Sequence, residues 1–201
     1  HTKIARSFTQ RLVERTKKLR IGDGLEKNMQ VGPQVNEQHV ATSERYVKVA
    51  LAEGAKLLTG GKRLQGKAYA AGTFFAPTIL SGVTPEMRIA QEEVFGPVVS
   101  LLEFDSFEEA IAIANGVSYG LSASIYTRDV NCGYRAMRDL EAGIVYINAP
   151  TIGAEVHLPF GGVKQTGNGH REGGNAALDF YSSWKSVYVD YSDRLQRAQI
   201  D

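Results

Sequence analysis

The feature that most constrains the fold is the alternation that begins after Pro97. Val98–Phe104 is a continuous apolar run, Asp105–Asn115 reads as a capped helix, and Leu121–Thr127 reads as the next strand. Arg128–Leu140 follows as a helix closed by Ala142-Gly143, and Ile144–Asn148 as a further strand. Strand–helix–strand at this spacing predicts a parallel sheet with right-handed crossovers, hence an α/β fold. A run apolar throughout, such as Val98–Phe104, predicts a strand buried on both faces. Ser106 followed three residues later by Glu109 is the capping-box spacing. Ligands of such sheets sit beyond the carboxyl ends of the strands, which singles out Asn148 and the loop Ala149–Pro159.

Upstream, Phe8, Leu12, Val13, Leu19 and Ile21 give a partly helical spacing through about residue 20, stopped by Gly22-Asp23-Gly24. The basic residues of this segment read as a solvated helix face. A second helix fits Glu37–Glu53, ended by Gly54, and a short strand fits Lys56–Thr59. Phe74–Val83 reads as a strand that Pro77 makes an edge strand or a bent one. Thr84 and Pro85 read as the cap and first position of a helix. Near the other end, a helix at about Gly174–Tyr181 leads into Trp184–Asp190, a β-rich run with Val187 and Val189 on one face and Tyr188 on the other.

Composition sets outer limits. The 201 residues suffice for one good-sized domain, and a net charge of +1 gives no reason to expect nucleic acid or a membrane surface as partner. The single cysteine excludes an internal disulfide and suits a reducing compartment, so a cytoplasmic location is expected. No apolar run approaches the roughly 18 residues of a membrane span. No metal site is expected. The opening His1-Thr2-Lys3 runs almost at once into a helix pattern and reads as an internal cut.

The chemistry is concentrated in Gln91-Glu92-Glu93-Val94-Phe95-Gly96-Pro97-Val98-Val99. Two-residue spacing aims Glu93 and Phe95 to the same side of an extended segment. A carboxylate accepts from both hydroxyls of a ribose diol, and a phenyl ring packs on a sugar or nicotinamide face. Gly96 permits close approach of a ligand to the backbone. The bland reading is an exposed acidic pair where a strand begins. A second run, Pro159-Phe160-Gly161-Gly162-Val163-Lys164-Gln165-Thr166-Gly167-Asn168-Gly169-His170-Arg171-Glu172, and a third, Val31-Gly32-Pro33-Gln34-Val35-Asn36-Glu37 with Glu53-Gly54-Ala55-Lys56, complete the set.

These three runs, in order and near the right spacing, resemble the NAD(P)-dependent aldehyde dehydrogenase superfamily over about Phe8–Val189. The resemblance implies a three-layer αβα catalytic domain with a mostly parallel sheet over residues 1–182, and a C-terminal oligomerisation strand and tail over 183–201. It implies NAD or NADP as cofactor, with Glu93 and Phe95 clamping the nicotinamide ribose. It implies a small aldehyde as substrate, with Thr151, Ile152 and Phe160 lining its pocket, and identical subunits, as dimer or tetramer, as partners. The family oxidises aldehydes through a cysteine thiohemiacetal and thioester, with a glutamate activating the water. The family's nucleophile and base segments are absent from this chain, so no catalytic residue is assigned and the isolated chain is expected to be inactive.

Other residues invite a role. Cys132 lacks the family's surrounding motif and reads as structural, although Arg128 and Arg135 are near enough in sequence to lower its pKa. His39 stands where many members place a glutamine near the cofactor, yet a surface histidine is the plainer reading. His157 reads as an exposed loop residue. His170 is an extra residue before Arg171-Glu172, an insertion similar to one in members acting on acidic semialdehydes. Two other readings stay open: a non-catalytic truncated relative acting as an assembly or binding module, and a dehydrogenase that acylates coenzyme A.

Overall fold

A polar cap and apolar side chains at helical spacing decide where the core forms. The computed structural model describes residues 1–194. It opens with α1 (Thr2–Lys17), whose basic residues are exposed as expected and which buries no side chain. Asn36 then accepts from the His39 amide and starts α2 (Glu37–Ala52). This helix buries Val40, Ser43, Tyr46, Val47 and Ala50, the stripe expected of one face. Gly54, at φ +108°, turns the chain out of it.

The stripe rests on a three-stranded sheet. β1 (Lys56–Thr59) pairs antiparallel with β2 (Thr78–Ser81), and β2 pairs parallel with β3 (Val98–Ser100). Tyr46, Ala50, Ala55, Leu80, Val83 and Ile89 form one buried cluster, and Val40, Val47 and Phe75 another, with Val98 against both.

Three sequence expectations are corrected here. The strand expected over Phe74–Val83 shrinks to β2, because Pro77 offers no N–H to a ladder; Phe75 keeps only an isolated bridge to Arg63. Thr84 does not cap a helix. Its carbonyl accepts from the Met87 amide at 3.2 Å to close a turn, and the short α3 (Arg88–Gln91) begins beyond it. The strand expected over Val98–Phe104 is ordered only as β3, and Val99 is exposed. Among the described residues β3 has a neighbour on one side only, so nothing pairs with its outer edge.

The second half repeats the alternation. Ser106 accepts from the Glu109 amide at 3.1 Å and opens α4 (Phe107–Asn115); the Glu109 carboxylate reaches back to the Asp105 amide, one residue before the cap. β4 (Tyr119–Gly120) and β5 (Ser122–Ile125) follow, then α5 (Val130–Asp139), β6 (Ile144–Ile147), β7 (Val163–Lys164) and α6 (Ala176–Tyr181). β5 and β6 pair parallel from Ser122↔Ile144 to Ile125↔Ile147, with α5 as the crossover; β4 pairs antiparallel with β7. The fold is α/β, but among the described residues its strands form three small sheets rather than one.

Trp184–Asp190 forms no strand. Trp184 is 88% and Tyr188 94% exposed, and the run pairs with no strand among the described residues. Residues 195–201 of the expected tail lie outside the described residues. No described helix is long and apolar enough to cross a membrane.

Candidate functional site

Glu92 and Glu93 are adjacent carboxylates with opposite commitments. Glu92 receives Arg88 Nε at 2.8 Å and Nη2 at 2.9 Å, and the Tyr46 hydroxyl at 2.5 Å. The Arg88 guanidinium, with the Tyr46 hydroxyl, holds its pKa down to about 2. Glu92 is thus a local ion-pair partner. Glu93, one residue on, is exposed and takes part in none of the ion pairs among the described residues.

The backbone between them explains the split. Residues 93–95 run between α3 and β3 without a ladder, and Val94 turns inward against the main cluster. Alternation then sends Glu93 and Phe95 outward. Phe95 is 69% exposed, an unusual position for a phenyl ring without a partner surface. The His39 ring stands edge-on to it at 6.3 Å, held by Asn36 Oδ1, which lies 3.0 Å from His39 Nδ1. The structure thus brings together Phe95 and His39, the latter of which the sequence reading left on the bland side, while Glu93 is exposed two residues from Phe95.

Gly96 needs another explanation than the one expected. A Cβ there would stand 2.5 Å from Ser43 Oγ and 3.2 Å from Gln34 Oε1. On the side where a Cβ would stand, the Gly96 backbone is approached by the chain's own second helix. Ser43 is fully buried, and its hydroxyl has no hydrogen-bond partner among the described residues.

The expected substrate wall is less assembled. Thr151 and Ile152 are exposed in a loop without regular structure. Phe160 is bridged to Glu172 through both backbone amides and walls a cavity of about 470 Å³ with Leu121, Thr166, His170 and Phe180. Neither Thr151, Ile152, Glu93 nor Phe95 lines that cavity. His157 is exposed, while His170 meets the Phe180 ring at 5.2 Å.

Cys132 lies in the first turn of α5. Its thiol donates to Asp129 Oδ2 at 3.6 Å, and burial together with the Asp129 charge pushes its pKa up. The expected help from arginine is outweighed, so the thiolate that a nucleophile requires is disfavoured.

Sequence reasoning quoted Lys164 without giving it a task. Its ammonium donates to the Asn115 and Val117 carbonyls at 2.6 and 3.1 Å and pairs with Glu141 at 2.7 Å. A cation at the carbonyl end of α4 is favourable, and here it ties that helix to β7. Its φ of +53° was the hidden signal, since only a fixed backbone tolerates it.

These features sit in a recognisable lineage. The aldehyde dehydrogenase family model matches residues 1–187, so the chain belongs to the aldehyde dehydrogenase family. It is 45% identical over 192 residues to an alpha-ketoglutarate semialdehyde dehydrogenase of Haloferax volcanii, covering 95% of this chain and 39% of that protein. It is 46% identical over 192 residues to a betaine aldehyde dehydrogenase of Brucella anthropi, covering 94% of this chain and 39% of that one. Among solved structures, the Staphylococcus aureus betaine aldehyde dehydrogenase in complex with NAD+ superposes with a TM-score of 0.86 at 38% identity, over 89% of this chain and 35% of that one. A Burkholderia cenocepacia protein described as an aldehyde dehydrogenase reaches 0.92 at 37% identity, over 98% of this chain and 40% of that one. The chain therefore spans about two fifths of the length of the relatives it matches.

Proposed function

We propose that this chain is the C-terminal portion of an NAD(P)-dependent aldehyde dehydrogenase, and that it supplies the nicotinamide-ribose clamp and part of the aldehyde pocket. The observation that carries this reading is the contrast between Glu92 and Glu93. One carboxylate is neutralised by Arg88, while the next is left open beside an exposed ring. An uncommitted carboxylate two residues from a phenyl face pairs a hydrogen-bond acceptor for a ribose diol with a packing surface for a heteroaromatic ring. Glu93 accepts from the diol, and Phe95, steadied by His39, limits where the ring rests. When bound, NAD or NADP supplies hydride acceptance.

The rest of the chain's role follows from position. Thr151, Ile152 and Phe160 approach the aldehyde once the loop 150–160 is packed by the remainder of the polypeptide. Residues 1–182 belong to a three-layer catalytic domain. Trp184–Asp190 pairs with a sheet of an identical subunit, which accounts for its exposed tryptophan and tyrosine. The nucleophilic cysteine and the base lie outside this chain, and Cys132, a protonated thiol on a helix, does not replace them. Names among the relatives support a semialdehyde or betaine aldehyde as substrate.

The test is to express the reading frame extended upstream of residue 1 and assay NAD+ and NADP+ reduction with 2-oxoglutarate semialdehyde and betaine aldehyde. Turnover by the longer polypeptide, lost with residues 1–201 alone, is the expected result. Turnover by residues 1–201 alone that survives Cys132→Ala would overturn it.

A further inference from the structure

The loop that carries Thr151 and Ile152 is tied down at both ends and nowhere between. At its far end the Gly174 amide donates to the Val156 carbonyl at 2.9 Å, and Phe160 and Glu172 bond through both backbones. Gly173 lets this end lie close, since a Cβ there would stand 2.7 Å from the Leu158 carbonyl oxygen. Residues 150–154 take part in no hydrogen bond among the described residues.

The near end is fixed by the neighbouring strand. β6 stops at Ile147, and Asn148 takes a left-handed backbone, φ +56°, which asparagine tolerates better than most side chains. Its amide donates to the Ile125 carbonyl at 2.8 Å, and its Oδ1 accepts from the Thr127 amide at 2.9 Å. The half-buried Ser124 hydroxyl, on β5, donates to the Ala149 carbonyl at 2.6 Å. Three bonds from Ser124, Ile125 and Thr127 therefore hold Asn148 and Ala149 at the carboxyl ends of a parallel pair, where such sheets meet their ligands. Small errors at this corner are amplified. Three extended residues reach about 10 Å, so a turn of about 10° at Ala149 carries Ile152 by about 2 Å. Misplacement on that scale is what productive orientation of a substrate does not tolerate.

We infer that Ser124 is a positioning residue for the aldehyde. Its hydroxyl holds the Ala149 carbonyl and, with the left-handed corner at Asn148, sets the direction in which residues 150–155 leave the sheet. That direction sets where Thr151 and Ile152 stand. Ser124 acts through the main chain of Ala149, not by touching the aldehyde. The inference rests on the reading of Thr151 and Ile152 as aldehyde-lining residues.

The test is made in the upstream-extended polypeptide. Ser124→Ala is expected to raise KM for the aldehyde about three- to tenfold, the loss of one hydrogen bond, and to leave KM for the dinucleotide unchanged. Ser124→Thr keeps a hydroxyl on a residue suited to a strand and is expected to restore the parent value. Asn148→Gly keeps the left-handed corner, loses only the Thr127 bond, and is expected to act in the same direction as Ser124→Ala. Ser122→Ala, two residues back on the same strand face, is expected to change neither KM. Hydrogen exchange read by mass spectrometry follows the corner itself: the Thr127 and Asn148 amides are expected to exchange about threefold or more faster in Ser124→Ala. An unchanged aldehyde KM in Ser124→Ala overturns the inference, and so does an equal rise in both KM values, which would mean a general loosening. A polypeptide that oxidises no aldehyde sinks the proposed function, and exchange then decides alone. Faster exchange at Thr127 and Asn148 upholds Ser124 as the anchor of the loop, and unchanged exchange overturns it.

Discussion

The two halves of this molecule use the same strand–helix vocabulary and are held together differently. In the first, α2 lays a stripe on β1–β3, and among the described residues every buried apolar side chain except Ala136 lies between Val40 and Ile89. In the second, β5 and β6 make a four-residue parallel pair whose side chains are at best half-buried. What knits the second half is backbone on backbone. A Cβ on Gly143 would stand 1.8 Å from the Gly161 carbonyl oxygen, and one on Gly167 2.0 Å from that of Gly162. The first half is a finished core. The second is a surface shaped to be covered, which suits a region that must meet substrate, subunit and the remainder of its own chain.

The largest effect should come from the finished core. Leu80, fully buried in the middle strand, should cost about 2–5 kcal/mol on substitution by Ala, from lost burial plus the cavity left behind. Val145→Ala, half-buried on β6, should cost about 1 kcal/mol or less. Urea unfolding of both variants checks this, and equal costs would erase the distinction between the halves. Gly143→Ala should be the exception in the second half. The added methyl has no room, and forcing the backbones apart should cost about 1–3 kcal/mol with exchange increasing around residues 161–167.

A smaller effect tests the site. In the upstream-extended polypeptide, Glu93→Gln should raise KM for the dinucleotide about tenfold, the loss of roughly 1.4 kcal/mol of binding, and leave melting unchanged. Glu92→Gln should instead act on stability. A fall in stability with Glu93→Gln, or a KM effect confined to Glu92→Gln, would reverse the assignment of the two carboxylates. Ser43→Ala should be neutral or slightly stabilising, because it removes a buried hydroxyl that has no partner.

What was legible in the sequence divides along the same line. The positions of α2, α4, α5 and the β5–β6 pair follow from local signals such as the Ser106 cap and the Gly54 stop. The outward pairing of Glu93 with Phe95 follows from period two. What failed depended on neighbours. Val98–Phe104 has the composition of a strand buried on both faces, yet only three residues pair, because one flank is open among the described residues. Trp184–Asp190 has strand residues but pairs with no strand among the described residues. Thr84 has cap chemistry, but its carbonyl closes a turn that leaves α3 to start later. Gly96 meets the second helix, a packing need that its own sequence run did not reveal. A local pattern cannot say which surface will arrive.

The finest test of the contrast is electrostatic. Glu92 is held at a pKa of about 2, below its ordinary 4.5, first by Arg88 and then by the Tyr46 hydroxyl. A carboxylate depressed in the folded state binds its proton more readily when unfolded, so its contribution is complete above about pH 4.5. It is lost as pH falls through the window down to about 2. Glu92→Gln should therefore melt below the parent at pH 6, with the gap closing steadily between pH 4.5 and 2. Because Arg88 and Glu92 are both partly exposed, salt should shrink the Glu92 gap at pH 6. A gap indifferent to both pH and salt would mean that Glu92 acts through packing beneath Tyr46, not through its charge.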